Sequence, residues 1–248
     1  MRSDDIRLHL IFDNECHTDA LTSLWGFSAL IETPQQTILF DTGSNGRVLL
    51  KNLQAKGLDI LSIDTIFITH AHWDHIGGLD SILELNPNVQ IVVSPQLSKN
   101  LIRDLNTLSQ GVEVVNENPS EILPHIYSTG AMGEAQEHAI MLETQEGIIL
   151  LAGCAHSGIE AIVQRAKEQF NQEILLLLGG FHLFNKEEDE LEKIITNIKA
   201  LKTRYVCPSH CTGERAKKRF KEHFQDHYID GGLGIDLGFQ GKKVQILN

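Results

Sequence analysis

THAHWDHIGG, residues 69–78, sets His70, His72, Asp74 and His75 within six positions, directly after the strand-like run TIFIT. Imidazole nitrogen and carboxylate oxygen are ligands for zinc, and also for iron, manganese or nickel, so this cluster defines a class of metal site. On extended backbone positions 70, 72 and 74 would project to the same side, and two imidazoles and a carboxylate would converge. His75 then falls where the chain must turn. The pair Gly77-Gly78 suits close packing beside such a turn.

Runs rich in β-branched residues recur on both sides of this motif. IRLHLIF, FSALIE, TILF, TIFIT and QIVV precede residue 94, and IMLE, GIILLA, EILLLL, RYV and KKVQIL follow residue 140. They read as strands, and unbroken runs such as EILLLL read as strands covered on both faces. Helical stripes lie between them. Ile159, Ile162, Val163, Ala166 and Phe170 share one face, Leu191, Ile194, Ile195, Ile198 and Leu201 another, and Ala216, Phe220 and Phe224 a third. No Pro/Ser-rich linker interrupts the chain, so residues 1–248 are expected to form a single α/β domain.

With 21 Lys+Arg against 33 Asp+Glu and a net charge of -12, the chain is a poor partner for bulk nucleic acid, whose binding needs many cationic contacts. It holds no apolar run long enough to span a membrane, and its first residues do not have the layout of a leader. A cytoplasmic location is expected, with no membrane partner. Cys16, Cys154, Cys207 and Cys211 are expected to be reduced thiols. Cys207 and Cys211 flank His210, but no second pair completes a zinc-finger spacing.

The motif HxHxDH after a strand resembles the signature of the metallo-β-lactamase superfamily. LFDTG at 39–43 supplies the family's preceding aspartate, Asp41, and the resemblance extends over essentially the whole chain. It implies a four-layer αββα sandwich with metals at one edge between the two sheets. It also implies two divalent transition-metal ions, zinc first, with iron or manganese as alternatives. His70 and His72 match ligands of the first metal, Asp74 and His75 ligands of the second, and His210, in CPSHCTG, the late histidine of the second site. Asp41 matches a residue that holds a ligand histidine from behind.

Elsewhere the chain departs from the family pattern. Most members carry an aspartate in a Gly-Asp pair after a strand, and here GIILLA runs into GCAHSG, with Cys154 in that slot. His156, two residues on, is expected to be the third ligand of the first metal, because it follows a strand end as His70 and His210 do. His138, beside Glu137, is the alternative ligand, and its bland reading is an exposed loop histidine. Cys154 is expected to be a small buried residue supporting the ligands.

The segments GCAHSGI, LLLLGGFHL and PSHCTG are similar to a subfamily named after an archaeal ribofuranosylaminobenzene phosphate synthase, which joins a pterin to an aromatic amine. The leading expectation is a metal-dependent hydrolase, in which a metal-activated water attacks a small, anionic ester, phosphoester or lactone-type substrate. Asp74 would orient that water, and His182, in GGFHL, would act as acid or base on the leaving group. Two alternatives stand beside it: a pterin-type condensation that releases pyrophosphate, and a non-catalytic metal- or ligand-binding protein on the same scaffold. The basic run Arg215, Lys217, Lys218, Arg219 and Lys221 reads mainly as a solvated helix face. Trp73 reads as packing beside the site.

Overall fold

The computed structural model describes residues 1–247. The polypeptide divides into two compact units, one comprising Asp5–Asn116, Gly232–Gly238 and Gln245–Asn248, the other Met1–Asp4, Glu117–Gly231 and Phe239–Val244.

The strands of the first are β1 (Arg7–Phe12), β2 (Ser28–Glu32), β3 (Thr37–Phe40), β4 (Thr65–Ile68), β5 (Gln90–Val93) and β6 (Gly111–Val114). They continue an eight-stranded sheet that starts at the chain's last two strands, β13 (Asp236–Gln240) and β14 (Lys243–Ile246), in the order β14-β13-β1-β2-β3-β4-β5-β6. From β3 to β6 all pairings are parallel, which requires a crossover between each pair. The crossovers carry the helices α1 (Gly46–Ala55), α2 (Trp73–Ile76), α3 (Leu79–Leu85) and α4 (Lys99–Leu108). Asn45 and Ser98 cap α1 and α4 by accepting from the amides of Val48 and Leu101.

Alternation fixes which strand face meets these helices. Leu39, Ile66, Ile68, Ile91 and Val93 pack with Leu49, Leu53, Ile82 and Leu105 in one buried cluster. Truncating a residue such as Leu49 or Ile66 to alanine would cost about 2–5 kcal/mol. The alternate residues Ile38, Phe40, Phe67 and Val92 are buried as well, as unbroken apolar runs require.

The second unit holds a six-stranded sheet in the order β12-β11-β10-β9-β8-β7. Its strands are β7 (Ser120–Leu123), β8 (Ile126–Ser128), β9 (Ile140–Glu143), β10 (Ile148–Ala152), β11 (Ile174–Gly180) and β12 (Thr203–Ser209). β7 to β10 pair antiparallel, whereas β10, β11 and β12 run parallel. The parallel strands are linked through α5 (Ile159–Phe170) and α6 (Glu188–Ala200), and α7 (Glu214–Phe224) follows β12. The three predicted helical stripes all join the core of this unit: Ile159, Ile162 and Val163, then Leu191, Ile195 and Ile198, then Ala216, Phe220 and Phe224. Because β10, β11 and β12 point the same way, the residues that follow them (His156, His182 and His210) emerge at one edge of this sheet.

The strands expected from the sequence are present, and β6, β7, β8 and β13 are additional. No helix among the described residues is long and apolar enough to cross a membrane.

Candidate metal centre

In the first unit β4 ends at Ile68 and the motif begins immediately. The chain is extended only to His72, the N-cap of α2, so Asp74 and His75 lie on a single helical turn. This corrects the expectation of extended backbone through position 74. The turn forms because Gly77 and Gly78 have no side chains: a Cβ on either would stand 2.4 Å from a carbonyl oxygen, of Ser44 or Thr42 respectively.

His70, His75, Asp74 and Asp41 are all buried. The Asp41 carboxylate accepts from the Thr69 amide and hydroxyl, both at 2.8 Å, and lies 2.7 Å from His75 Nδ1. With its hydrogen given to Asp41, the Thr69 hydroxyl accepts from His70 Nδ1 at 2.9 Å. Both imidazoles are thereby held through Nδ1, so that each would offer Nε2 to an ion, the usual preparation of a histidine for metal binding. His70 Nε2 reaches within 2.9 Å of His72 Nδ1, and Asp74 Oδ2 is 3.8 Å from His75 Nε2. Separations of this size are those of neighbouring donors on one ion. Trp73, expected to pack beside the motif, is instead 62% exposed.

In the second unit Glu137 organises the residues that follow β10. Its Oε1 accepts from the amides of Cys154 and Ala155, both at 2.8 Å, and Oε2 from that of His156 at 2.6 Å. The lone glutamate carried no sequence signal for this, because its partners are amides seventeen to nineteen residues away. His156 and His182 have ring centroids 4.5 Å apart. Donor atoms of Cys154, His156 and His182 all lie within 4.8 Å of one another, and those of Cys154, His210 and Cys211 form a second such group.

His138, given an exposed loop as its bland reading, is fully buried, with Nδ1 2.9 Å from the Ser128 hydroxyl. The bland reading is overturned, because the segment lies against β8 and β9 rather than in solvent. Cys154 is buried as expected.

Four non-glycine residues around these groups are left-handed: Asp41 (φ 52), Ala155 (φ 60), His182 (φ 51) and His210 (φ 49). Such residues are uncommon and concentrate where surrounding structure holds a functional geometry. Nδ1 of His182 is buried without a hydrogen-bond partner. A hydrogen bond with Cys211 raises the His182 pKa above its ordinary value against the opposing effect of burial, and the nearby charges of Cys211 and Glu137 add to the rise. Burial disfavours the thiolate of Cys211, but hydrogen bonds with Cys154 and His182 and the nearby imidazoles outweigh it and lower that thiol well below its usual value.

A pocket of about 370 Å³ opens beside His156 and His182, and Lys186 and Lys193 also line it. The basic run of α7 is less solvated than expected. Lys217 is buried, with Nζ 3.2 Å from the Gly231 carbonyl, and the Arg219 guanidinium contacts Glu188, Glu192 and Glu222.

These buried donors, set at the ends of parallel strands and primed through Nδ1, suit a transition-metal ion. The chain belongs to the metallo-β-lactamase superfamily, whose family model matches residues 26–210. The fold class expected from the motif is therefore the right one. Among individual proteins, the chain is 26% identical to the 7,8-dihydropterin-6-methyl-4-(beta-D-ribofuranosyl)-aminobenzene-5'-phosphate synthase of Methanocaldococcus jannaschii, over 88% of this chain and 91% of that protein. Tm1679, described as a metal-dependent hydrolase of the beta-lactamase superfamily, is similar in structure with a TM-score of 0.80 and 28% identity, covering 94% of this chain and 99% of that one. The short form of human tRNase Z shares the fold with a TM-score of 0.64 at 14% identity, over 93% and 98% of the two chains.

Proposed function

We propose that the protein is a metal-dependent hydrolase acting on a small anionic ester, phosphoester or lactone. The observation that carries this reading is the buried Asp41 carboxylate 2.7 Å from His75 Nδ1, an arrangement that orients a histidine for a cation and has little use without one. The ligands proposed for it are His70, His72, Asp74 and His75, together with His156 and His210 as the sequence suggests, and His138, whose Nδ1 is held by Ser128 as those of His70 and His75 are held, is the alternative to His156. The proposed cofactor is a pair of divalent transition-metal ions, zinc foremost. Such ions, when bound, polarise the scissile group and lower the pKa of water to about 7.

The chain's own residues supply the rest. Asp74 accepts a hydrogen bond from the attacking water and orients it. His182, whose raised pKa keeps it protonated nearer neutrality, gives its proton to the leaving group. Lys186 and Lys193 at the pocket beside His182 favour an anionic substrate.

A second reading, condensation of a pterin diphosphate with an aromatic amine, is supported by the likeness to the archaeal synthase. The experiment that separates the two supplies metal-loaded protein with a panel of phosphate esters, carboxylic esters and lactones. A parallel reaction supplies a hydroxymethyl-dihydropterin diphosphate and an aminobenzene ribose phosphate. Hydrolysis of a panel member supports the first reading, whereas pyrophosphate released only when both condensation substrates are present supports the second.

A further inference from the structure

Helix α7 carries two sets of basic side chains that the fold treats differently. Arg219 is neutralised by Glu188, Glu192 and Glu222. Arg215, Lys218 and Lys221 are exposed and, among the described residues, have no carboxylate within ion-pair distance. Spaced three residues apart, they form a ladder along one side of the helix. Like charges at this spacing repel and weaken a helix unless an anion lies between them.

The ladder lines a cleft of about 550 Å³ between α7 and residues 228–230. The opposite wall is fixed to the helix through Lys217, a buried lysine whose Nζ donates to the Gly231 carbonyl at 3.2 Å and lies 3.9 Å from Asp230 Oδ1. The Tyr228 hydroxyl donates to the same Asp230 oxygen at 3.0 Å, and the Lys221 ammonium stands 5.9 Å from the centroid of the Tyr228 ring. Asp230 is thus engaged by Lys217 and Tyr228. Glu214 is the other carboxylate among the described residues of the cleft, so two acids face four cations in a chain whose net charge is -12.

A concave wall with a surplus of one sign concentrates ions of the other. The cleft has the volume of a small-molecule site, and the acidic chain around it opposes a long polyanion such as nucleic acid. From residue 215 to residue 221 the helix rises about 9 Å, which exceeds the reach of one phosphate group and suits a short chain of them.

We propose that this cleft binds a small molecule bearing a di- or triphosphate chain, with Arg215, Lys218 and Lys221 donating charge-assisted hydrogen bonds to successive phosphates. The site shares no residue with the proposed metal ligands and is independent of the hydrolase reading.

Calorimetric titration of the whole chain with inorganic tripolyphosphate tests it. Binding at one site is expected, weakened about tenfold or more in the double variant Lys218→Glu/Lys221→Glu, in which two charge-assisted bonds become repulsions. The double variant Lys99→Glu/Arg103→Glu on α4 changes the net charge equally and is expected to bind within about twofold of the unmutated chain, because distant exposed charges are screened. Tripolyphosphate held at the metal centre would bind both variants alike, and that outcome overturns the cleft. In the unmutated chain tripolyphosphate should protect Lys218 and Lys221, but not Lys99, from amine acetylation read by mass spectrometry. Absence of that protection, or orthophosphate binding as tightly as tripolyphosphate, also overturns it.

Discussion

Asp41 and His75, thirty-four residues apart and both fully buried, are joined by a 2.7 Å contact between Oδ2 and Nδ1. Asp41 pairs its backbone with the strand β4 through Phe67, and its left-handed φ of 52° turns the carboxylate toward Thr69 and His75. Asp41→Asn keeps the shape, and asparagine tolerates the left-handed backbone. It removes the charge that orients two histidines. Metal affinity, read by competition with a chromophoric chelator, is expected to fall about 10–100-fold. Unchanged affinity would reduce Asp41 to a turn residue.

Glu137 is buried and takes the three amides of Cys154, Ala155 and His156. Hydrogen bonds to a charged acceptor contribute about 1.5–3 kcal/mol, more than neutral ones. Glu137→Gln is expected to lower unfolding free energy in urea by about 2 kcal/mol, because one oxygen of the pair becomes a donor facing amide donors. A change below about 0.5 kcal/mol would show that the three amides are satisfied without the carboxylate.

His182 sits between His156 and Phe184, with ring centroids 4.5 Å and 5.2 Å away. His182→Asn, chosen because asparagine accepts a φ near 51°, is expected to retain bound metal while turnover falls about a hundredfold or more. Loss of metal would make His182 a ligand, and unchanged turnover would make it scaffold.

His9, bonded to Asp236 and Glu32, gives a pH dependence of stability. Burial lowers its pKa, but Asp236 at 2.8 Å and Glu32 at 3.1 Å outweigh that and raise it above 6.5. Lys56 also contacts Asp236, at 2.7 Å, and Asp236 is held below 3.8 despite burial by His9 and Lys56. A raised histidine pKa stabilises the fold fully below the unfolded value, and the contribution is lost as pH rises through the folded value. The melting temperature of the wild type should therefore exceed that of His9→Gln by more at about pH 5.5 than at about pH 8.5. An equal gap at both would show that folding leaves the His9 pKa unshifted.

The HxHxDH run made the fold class legible. Four ligand-type residues within six positions marked His70, His72, Asp74 and His75 as the candidate site, and the strand ends put His156, His182 and His210 at one sheet edge. The helical turn at Asp74 was not legible, because alternation assumes extended backbone and Gly77-Gly78 permit a turn that the polar motif residues do not announce. Short polar strands such as β7, SEIL, lack a buried pattern to read. The burial of His138 and the role of Glu137 come from distant partners, Ser128 and the amides after β10, that no local spacing encodes.

The central claim is that these side chains hold metal, and elemental analysis of the chain purified without chelator tests it most directly. The account predicts about two transition-metal ions per chain, falling in His70→Ala and His75→Ala variants. A content near zero, persisting after refolding with added zinc, iron and manganese, would contradict it.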